Sequence, residues 1–257
     1  MFIMGDIHGQ YEKLVVLLRR EELIDSELNW SGETNQLYFL GDYFDRGPDG
    51  IAVIELIMSL QWQASEVGGR VGALLGNHDV LTLAAYEFSE QPSGGPGGTF
   101  RDSWRLNGGN EADLVRLTDR HVRWIKSLPA MALVGNHLLA HADATFYQVY
   151  GRTIPAVNRA IQTILRSDDT QAWDHLLDYF SQRRAFRDEE MGQTRVSRFM
   201  GIYGGERFIH GHTPICKLTG QKPQEVVSPL VYAGGLAVDV DPGMYLGGPG
   251  FLFNQPV

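Results

Sequence analysis

The sequence is poor in cysteine, in basic charge and in long apolar runs. Cys216 is the single cysteine. One thiol excludes an internal disulfide and suits a reducing, cytoplasmic compartment. It lies between Ile215 and Lys217 and reads as a small buried hydrophobe. Lys and Arg number 22 against 31 Asp and Glu, a net charge of −9. That deficit argues against nucleic acid as a partner, and part of the acidic surplus suits bound cations instead. No apolar run approaches the ~18–20 residues of a membrane helix, so no membrane partner is expected. The first residues carry no basic stretch ahead of an apolar one, which argues against a secretion signal. Internal repeats are absent. Low complexity is confined to residues 91–98, rich in glycine and proline and expected to be a mobile surface loop.

What is present is an ordinary globular composition, 43% hydrophobic and 21% charged over 257 residues. That length fits one α/β domain, spanning 1–257, with a sizeable core. Phe2-Ile3-Met4 reads as a strand and the leucines of 14–18 as one face of a helix. Residues 36–40 form a second strand, followed by a helix over 48–61 that Pro48 can start. Residues 71–75 form a third strand, followed by a helix over 80–88. Three strand–loop–helix units imply parallel strands, whose C-terminal loops lie along one edge. A helix is expected over about 111–126, after the turn Asn107-Gly108-Gly109-Asn110. A hairpin over 131–141 turns at Gly135-Asn136. Helices near 154–166, 171–184 and 193–203 precede short strands at 206–209, 226–227, 230–232, 237–240 and 251–253. The predicted architecture is an α/β fold with two sheets and a helical insertion.

The loops at the strand ends carry the chemistry. Gly5-Asp6-Ile7-His8-Gly9 closes the first strand, where alternation puts Asp6 and His8 on one side. The second is followed by Gly41-Asp42-Tyr43-Phe44-Asp45-Arg46-Gly47, the third by Gly76-Asn77-His78-Asp79. His141-Ala142-Asp143 and His210-Gly211-His212-Thr213 follow later strands. Of the eight histidines, His121 and His175 sit in polar helical stretches and read as surface residues. His137 copies a Gly-Asn-His pattern but follows a hairpin turn, and reads as a decoy. His8, His78, His141 and His212, with Asp6, Asp42 and Asn77, form a nitrogen- and oxygen-rich donor set without thiolate. Such a set suits Mn²⁺, Fe or Zn²⁺.

In order and spacing these motifs resemble those of calcineurin-like metallophosphoesterases, within them the phosphoprotein phosphatase branch and its bacterial and phage lambda members. The resemblance runs from residue 5 to about 213. Trp104-Arg105-Leu106-Asn107-Gly108-Gly109-Asn110-Glu111 is similar to a substrate-side segment of bacterial members, and Val238-Asp239-Val240-Asp241-Pro242-Gly243 more loosely to a late strand motif. The resemblance implies a two-sheet fold flanked by helices and a phosphomonoesterase with two divalent ions, Mn²⁺ first. It implies that Asp6, His8 and Asp42 bind one ion, with Asp42 bridging to a second held by Asn77, His141 and His212. A metal-bridging hydroxide then attacks phosphorus in line. His78 protonates the leaving alkoxide with Asp45 holding its tautomer, and Arg46 and Asn77 contact the phosphate. The bland alternative has Asp45 and Arg46 stapling their loop as an ion pair.

Departures from the pattern qualify the substrate. Pro214 stands where wider metallophosphoesterases often have a further histidine ligand, and Asp79 where eukaryotic protein phosphatases have Glu. His210 is not called for by the motif and reads as support or packing. A second phosphate-binding arginine is expected among Arg183, Arg184 and Arg187, with Arg187 preferred because it follows Phe186. The implied substrate is a phosphoprotein or a small phosphate ester. Dinucleoside polyphosphate hydrolysis is the runner-up and a nucleic-acid phosphodiesterase third. A metal-bound scaffold without turnover is the alternative of another class.

Overall fold

The computed structural model describes residues 1–255. Two sheets face each other with helices on their outer sides. The first has the order β3 (Arg70–Ala73), β2 (Gln36–Phe39), β1 (Phe2–Met4), β9 (Phe253–Asn254). β1, β2 and β3 are parallel, and β9 closes the edge antiparallel to β1. Helices α1 (Tyr11–Arg20) and α2 (Gly50–Glu66) make the crossovers, and α3 (Asn77–Phe88) leaves the third strand.

The second sheet has the order β4 (Met131–Val134), β5 (His137–Ala140), β6 (Arg207–His210), β8 (Ala237–Asp239), β7 (Leu230–Tyr232). Its central strands β5, β6 and β8 are parallel, with antiparallel partners at both edges. Helices α4 (Phe100–Leu106), α5 (Glu111–Arg116) and α6 (Asp119–Ser127) lie between β3 and β4. Helices α7 (Tyr147–Tyr150), α8 (Ile154–Leu165), α9 (Thr170–Phe180) and α10 (Gly192–Tyr203) lie between β5 and β6, and α11 (Ile215–Thr219) follows β6.

Strand alternation explains the layering. Phe2, Met4, Leu37 and Phe39 point to the helices, while Ile3, Tyr38 and Leu40 point to the other sheet. There they meet Leu139, Ile209 and Val238, whose neighbours Leu138, Phe208 and Ala237 face the opposite way. Strands covered on both faces read as unbroken apolar runs. Each aliphatic side chain buried between the sheets contributes about 1.5–3 kcal/mol.

Several local expectations shift. α2 starts at Gly50, because the Asp49 side chain accepts the Ala52 N–H as its N-cap, leaving Pro48 outside the helix. The helix expected over 111–126 is broken into α5 and α6, since the Thr118 hydroxyl restarts it by accepting the His121 N–H. His121 is not a surface residue. It is buried, with Nδ1 accepting the Thr118 N–H at 3.3 Å and Nε2 3.4 Å from Glu55. Val226 and Val227 form no strand and follow a 3₁₀ turn at Pro223–Glu225. The glycine-rich loop is pinned rather than free: Gly97 N–H donates to Ser103 Oγ at 3.2 Å and Gly94 N–H to Asp174 at 2.9 Å.

Candidate metal centre

The C-terminal ends of β1, β2, β3, β5, β6 and β8 meet along one edge of the sandwich, and every candidate ligand leaves from one of them. β1 stops at Met4 and His8 has φ +47°, so the loop, not strand alternation, brings Asp6 and His8 together. Asp42, Asp45 and Arg46 also lie in the left-handed region, at φ +56°, +67° and +63°. The turn after β2 is therefore strained. Its close approach to the next loop requires glycine: a Cβ on Gly76 would stand 2.3 Å from Asp42 Oδ1.

Asp42 divides its carboxylate between two groups of donors. Oδ2 lies 3.5 Å from His8 Nε2, and Asp6 Oδ2 is 3.9 Å from the same nitrogen. Oδ1 lies 3.4 Å from His141 Nε2. That nitrogen is 3.0 Å from His212 Nδ1, and Asn77 Oδ1 sits 2.9 and 2.8 Å from the two. His8 Nδ1 donates to the Phe44 carbonyl at 2.8 Å and His141 Nδ1 to the Leu40 carbonyl at 2.9 Å. A carbonyl can only accept, so in both rings the Nε2 lone pair faces the cluster.

The electrostatics agree with a cation site. Burial lowers the pKa of His8, His141 and His212, keeping them neutral and able to ligate. Burial opposes ionisation of Asp42, yet His141, His78, His8 and His212 together hold its pKa below the usual range. Burial first, then Asp241 and Asp42, push Asp6 up. Asp239 and Asp241 at the end of β8 are also buried; burial raises Asp239 and lifts Asp241 to about 7. Among the described residues, His212 Nε2, Asp239 Oδ2 and Asp241 Oδ2 are buried without a hydrogen-bond partner. Clustered buried acceptors and acids with so few donors are unfavourable unless cations join them. The residues fit divalent metal.

Across from Asp42 stands His78, in the first turn of α3. Its Nδ1 donates to Asp45 Oδ2 at 2.7 Å. Asp45 also accepts from Trp104 Nε1 at 2.8 Å and from Thr82 Oγ1 at 3.3 Å. Arg46 turns away from Asp45. Its Nη1 donates to His8 Nε2 at 3.0 Å, and its guanidinium lies 4.6 Å over the Tyr245 ring. The two residues therefore do not form a staple.

Arg187 stacks on Tyr232 at 5.1 Å, beside His210 and Asp239. Arg183 lies within electrostatic reach of Arg46 and His212. Partial desolvation, then the like charges of Arg184 and Arg46, lower its pKa, and its own charge acts on His212. His210 points both nitrogens elsewhere, Nδ1 to the Gly211 carbonyl and Nε2 to Tyr232 Oη at 2.7 Å; that hydroxyl also donates to Asp143. His137 opens β5, at the strand end opposite His141. His175 is exposed and Cys216 buried.

Asp79 has a role its motif does not reveal. It accepts the N–H groups of Asp42, Tyr43 and Gly76 at 3.0, 2.9 and 2.8 Å, tying two ligand loops together. Tyr245 and Lys217 were silent in sequence, whereas Trp104 opens the 104–111 segment. Lys217 Nζ reaches Tyr245 Oη at 3.3 Å, on the ring that Arg46 covers. The one available signal was the Trp-x-x-Asn-Gly-Gly-Asn run at 104–110.

A family model described as calcineurin-like phosphoesterase matches residues 2–216. The chain is 40% identical over 83 residues to Shewanella-like protein phosphatase 1 of Plasmodium berghei, covering 32% of this chain and 23% of that protein. It is 30% identical over 168 residues to the symmetrical bis(5'-nucleosyl)-tetraphosphatase of Erwinia tasmaniensis, covering 65% and 52%. The chain thus spans about half, or less, of these curated relatives. The solved cold-active protein-tyrosine phosphatase of a psychrophilic Shewanella superposes with a TM-score of 0.71 at 22% identity, over 98% of this chain and 73% of that one. That likeness concerns the fold.

Proposed function

The chain belongs to the calcineurin-like phosphoesterase family, and from that membership we propose that it hydrolyses phosphomonoesters with two divalent ions, in the manner of Ser/Thr protein phosphatases. The observation that carries this reading is the division of Asp42 between His8 at 3.5 Å and His141 at 3.4 Å. Asp6, His8 and Asp42 would hold one ion; Asp42, Asn77, His141 and His212 would hold the other. Imidazole and oxygen donors without thiolate favour Mn²⁺, with Fe or Zn²⁺ as alternatives. Such a pair, when bound, acidifies water and clamps phosphoryl oxygens during in-line displacement.

The chain's own groups do the rest. Arg46 and Arg183 neutralise and orient the phosphoryl group. A planar guanidinium suits this because it can donate two parallel hydrogen bonds. His78 Nε2 gives the leaving alkoxide its proton. Asp45 fixes the ring with Nδ1 protonated and stabilises the imidazolium. General acid catalysis of this kind supplies about 10²–10⁴-fold.

One observation favours a second reading, hydrolysis of dinucleoside polyphosphates. Among the described residues Lys217 Nζ lies 3.3 Å from Tyr245 Oη, and the Arg46 guanidinium lies 4.6 Å over the same ring, so two cations share one aromatic side chain. Lys217, 5.9 Å from the Tyr245 ring, would offer a second cation to a further phosphate beside the one at Arg46. Tetraphosphatases are among the relatives.

The test is phosphate release from p-nitrophenyl phosphate by protein reconstituted with Mn²⁺, Fe²⁺, Zn²⁺ or Co²⁺, beside His78→Asn. Turnover in the wild type is expected, and His78→Asn should lose ~10²-fold or more on phenyl phosphate, whose leaving group needs the acid, with a smaller loss on p-nitrophenyl phosphate and unchanged metal content. No turnover with any of the four ions would sink the proposal.

A further inference from the structure

The segment 104–110 contacts the loop after β2 at four consecutive residues. Trp104 Nε1 donates to Asp45 Oδ1 at 2.8 Å, and the Gly108 carbonyl accepts the Arg46 N–H at 2.8 Å. Asn110 Nδ2 donates to the Gly47 and Pro48 carbonyls at 3.0 and 3.2 Å. The contacted loop contains Asp45 and Arg46 in left-handed backbone conformation. Such conformations are unfavourable for side-chain-bearing residues and persist only where surroundings enforce them.

The fit is close. Trp104 is fully buried, and a Cβ on Gly109 would come within 2.3 Å of its ring. A Cβ on Gly108, at φ +94°, would meet Arg46 Cγ at 2.9 Å. Two glycines thus let the backbone press on the indole from one side and on Arg46 from the other. Among the described residues Asp45 has no Lys or Arg hydrogen-bond donor. Its carboxylate is held by the indole, the Thr82 hydroxyl and His78. The 2.8 Å indole bond is the shortest of these besides that of His78 itself, and the Thr82 contact at 3.3 Å is long.

We propose that segment 104–110 is a brace that locks the Asp45–Arg46 turn, and that Trp104 is a positioning residue for the proton donor His78. The indole fixes Asp45 Oδ1, which leaves Oδ2 aimed at His78 Nδ1. Without that bond the carboxylate turns about its own axis, and the imidazole loses both orientation and the counter-charge for its protonated form. The inference rests on the reading of His78 as the donor to the leaving group.

The experiment compares aryl phosphates of rising leaving-group pKa, p-nitrophenyl phosphate and phenyl phosphate, in Mn²⁺-loaded wild type and Trp104→Phe. Phenylalanine keeps an aromatic ring and removes the N–H. A leaving group of low pKa needs little help from an acid, whereas phenoxide needs it. The expected result is a loss under ~3-fold for p-nitrophenyl phosphate and ~10–100-fold for phenyl phosphate, with KM and metal content unchanged. In an Asp45→Asn background the same change adds less than ~2-fold, because the two act as one unit. An equal loss on both substrates, or additive effects in the double variant, would overturn the brace as a positioning device. Should Trp104→Phe fail to fold, Thr82→Val removes the other donor to Asp45 and must steepen the leaving-group dependence in the same direction. A wild type inactive on both substrates refutes the phosphatase reading itself, an outcome distinct from failure of the brace.

Discussion

The Asp6 carboxylate accepts the His212 N–H at 2.9 Å, across 206 residues of chain. It joins the loop after β1 in one sheet to the loop after β6 in the other. A Cβ on the intervening Gly211 would stand 2.5 Å from the same oxygen, so the approach depends on that glycine. The metal cluster is therefore also a seam between the sheets.

Metal stoichiometry should depend on the shared carboxylate. Wild-type protein is expected to bind two divalent ions per chain, and Asp42→Asn at most one at the same free concentration. Elemental analysis after dialysis reads this directly. Chelation should also lower Tm by several degrees, because ions that bind only the folded state stabilise it by mass action. A chelated protein with unchanged Tm and an Asn variant retaining both ions would contradict the bridge.

The two arginine positions separate cleanly. Arg183→Ala should raise KM for p-nitrophenyl phosphate about tenfold, equivalent to one lost charge-assisted contact of ~1.4 kcal/mol. Arg187→Ala should change it less than ~2-fold, since the Arg187 guanidinium is engaged over the Tyr232 ring at 5.1 Å. Steady-state kinetics at fixed Mn²⁺ decide, and the opposite ranking would return the assignment to Arg187.

Lys217 distinguishes the two substrate readings. If a longer phosphate chain runs past Tyr245, Lys217→Ala should lower kcat/KM for diadenosine tetraphosphate by ~10-fold and leave p-nitrophenyl phosphate within ~2-fold. A phosphomonoesterase without that subsite shows the same small change on both. Basal turnover of the monoester is the internal control.

Asp113 gives a pH signature away from the metal ligands. It is fully buried and accepts the Gly50 N–H at 2.9 Å, joining α5 to the start of α2. Burial pushes its carboxyl from 3.8 to about 6, against the two backbone donors. A folded pKa above the unfolded one means that the folded state binds the proton more tightly. The resulting stabilisation is complete below about pH 4 and is lost as pH rises through about 6. Its size is on the order of 1–2 kcal/mol once screening by nearby water is allowed for. Denaturant titrations of wild type and Asp113→Asn from pH 4 to pH 8 should therefore diverge, with the wild type losing more stability on going up. Parallel curves would show that the carboxyl titrates normally.

The sequence by itself placed most of the strands along the chain and marked the loops that carry the candidate ligands. Glycine, aspartate and histidine at the end of an apolar strand are local features, and a strand followed by a helix fixes which end of the sheet they occupy. The donor chemistry was equally local, because nitrogen and oxygen ligands without cysteine can be read residue by residue. Some local reading failed through local competition: Asp49 and Thr118 cap helices and so moved or split those expected over 48–61 and 111–126. Only tertiary structure decided that Arg187 stacks on Tyr232, that Trp104 grips Asp45 from 59 residues away, and that Asp79 ties two loops by their backbone. It also pinned the glycine-rich loop to Asp174 on α9 and buried His121. These are contacts between segments distant in the chain. The direction of a side chain leaving a loop is set by backbone angles and packing partners, which periodicity and motif spacing do not encode.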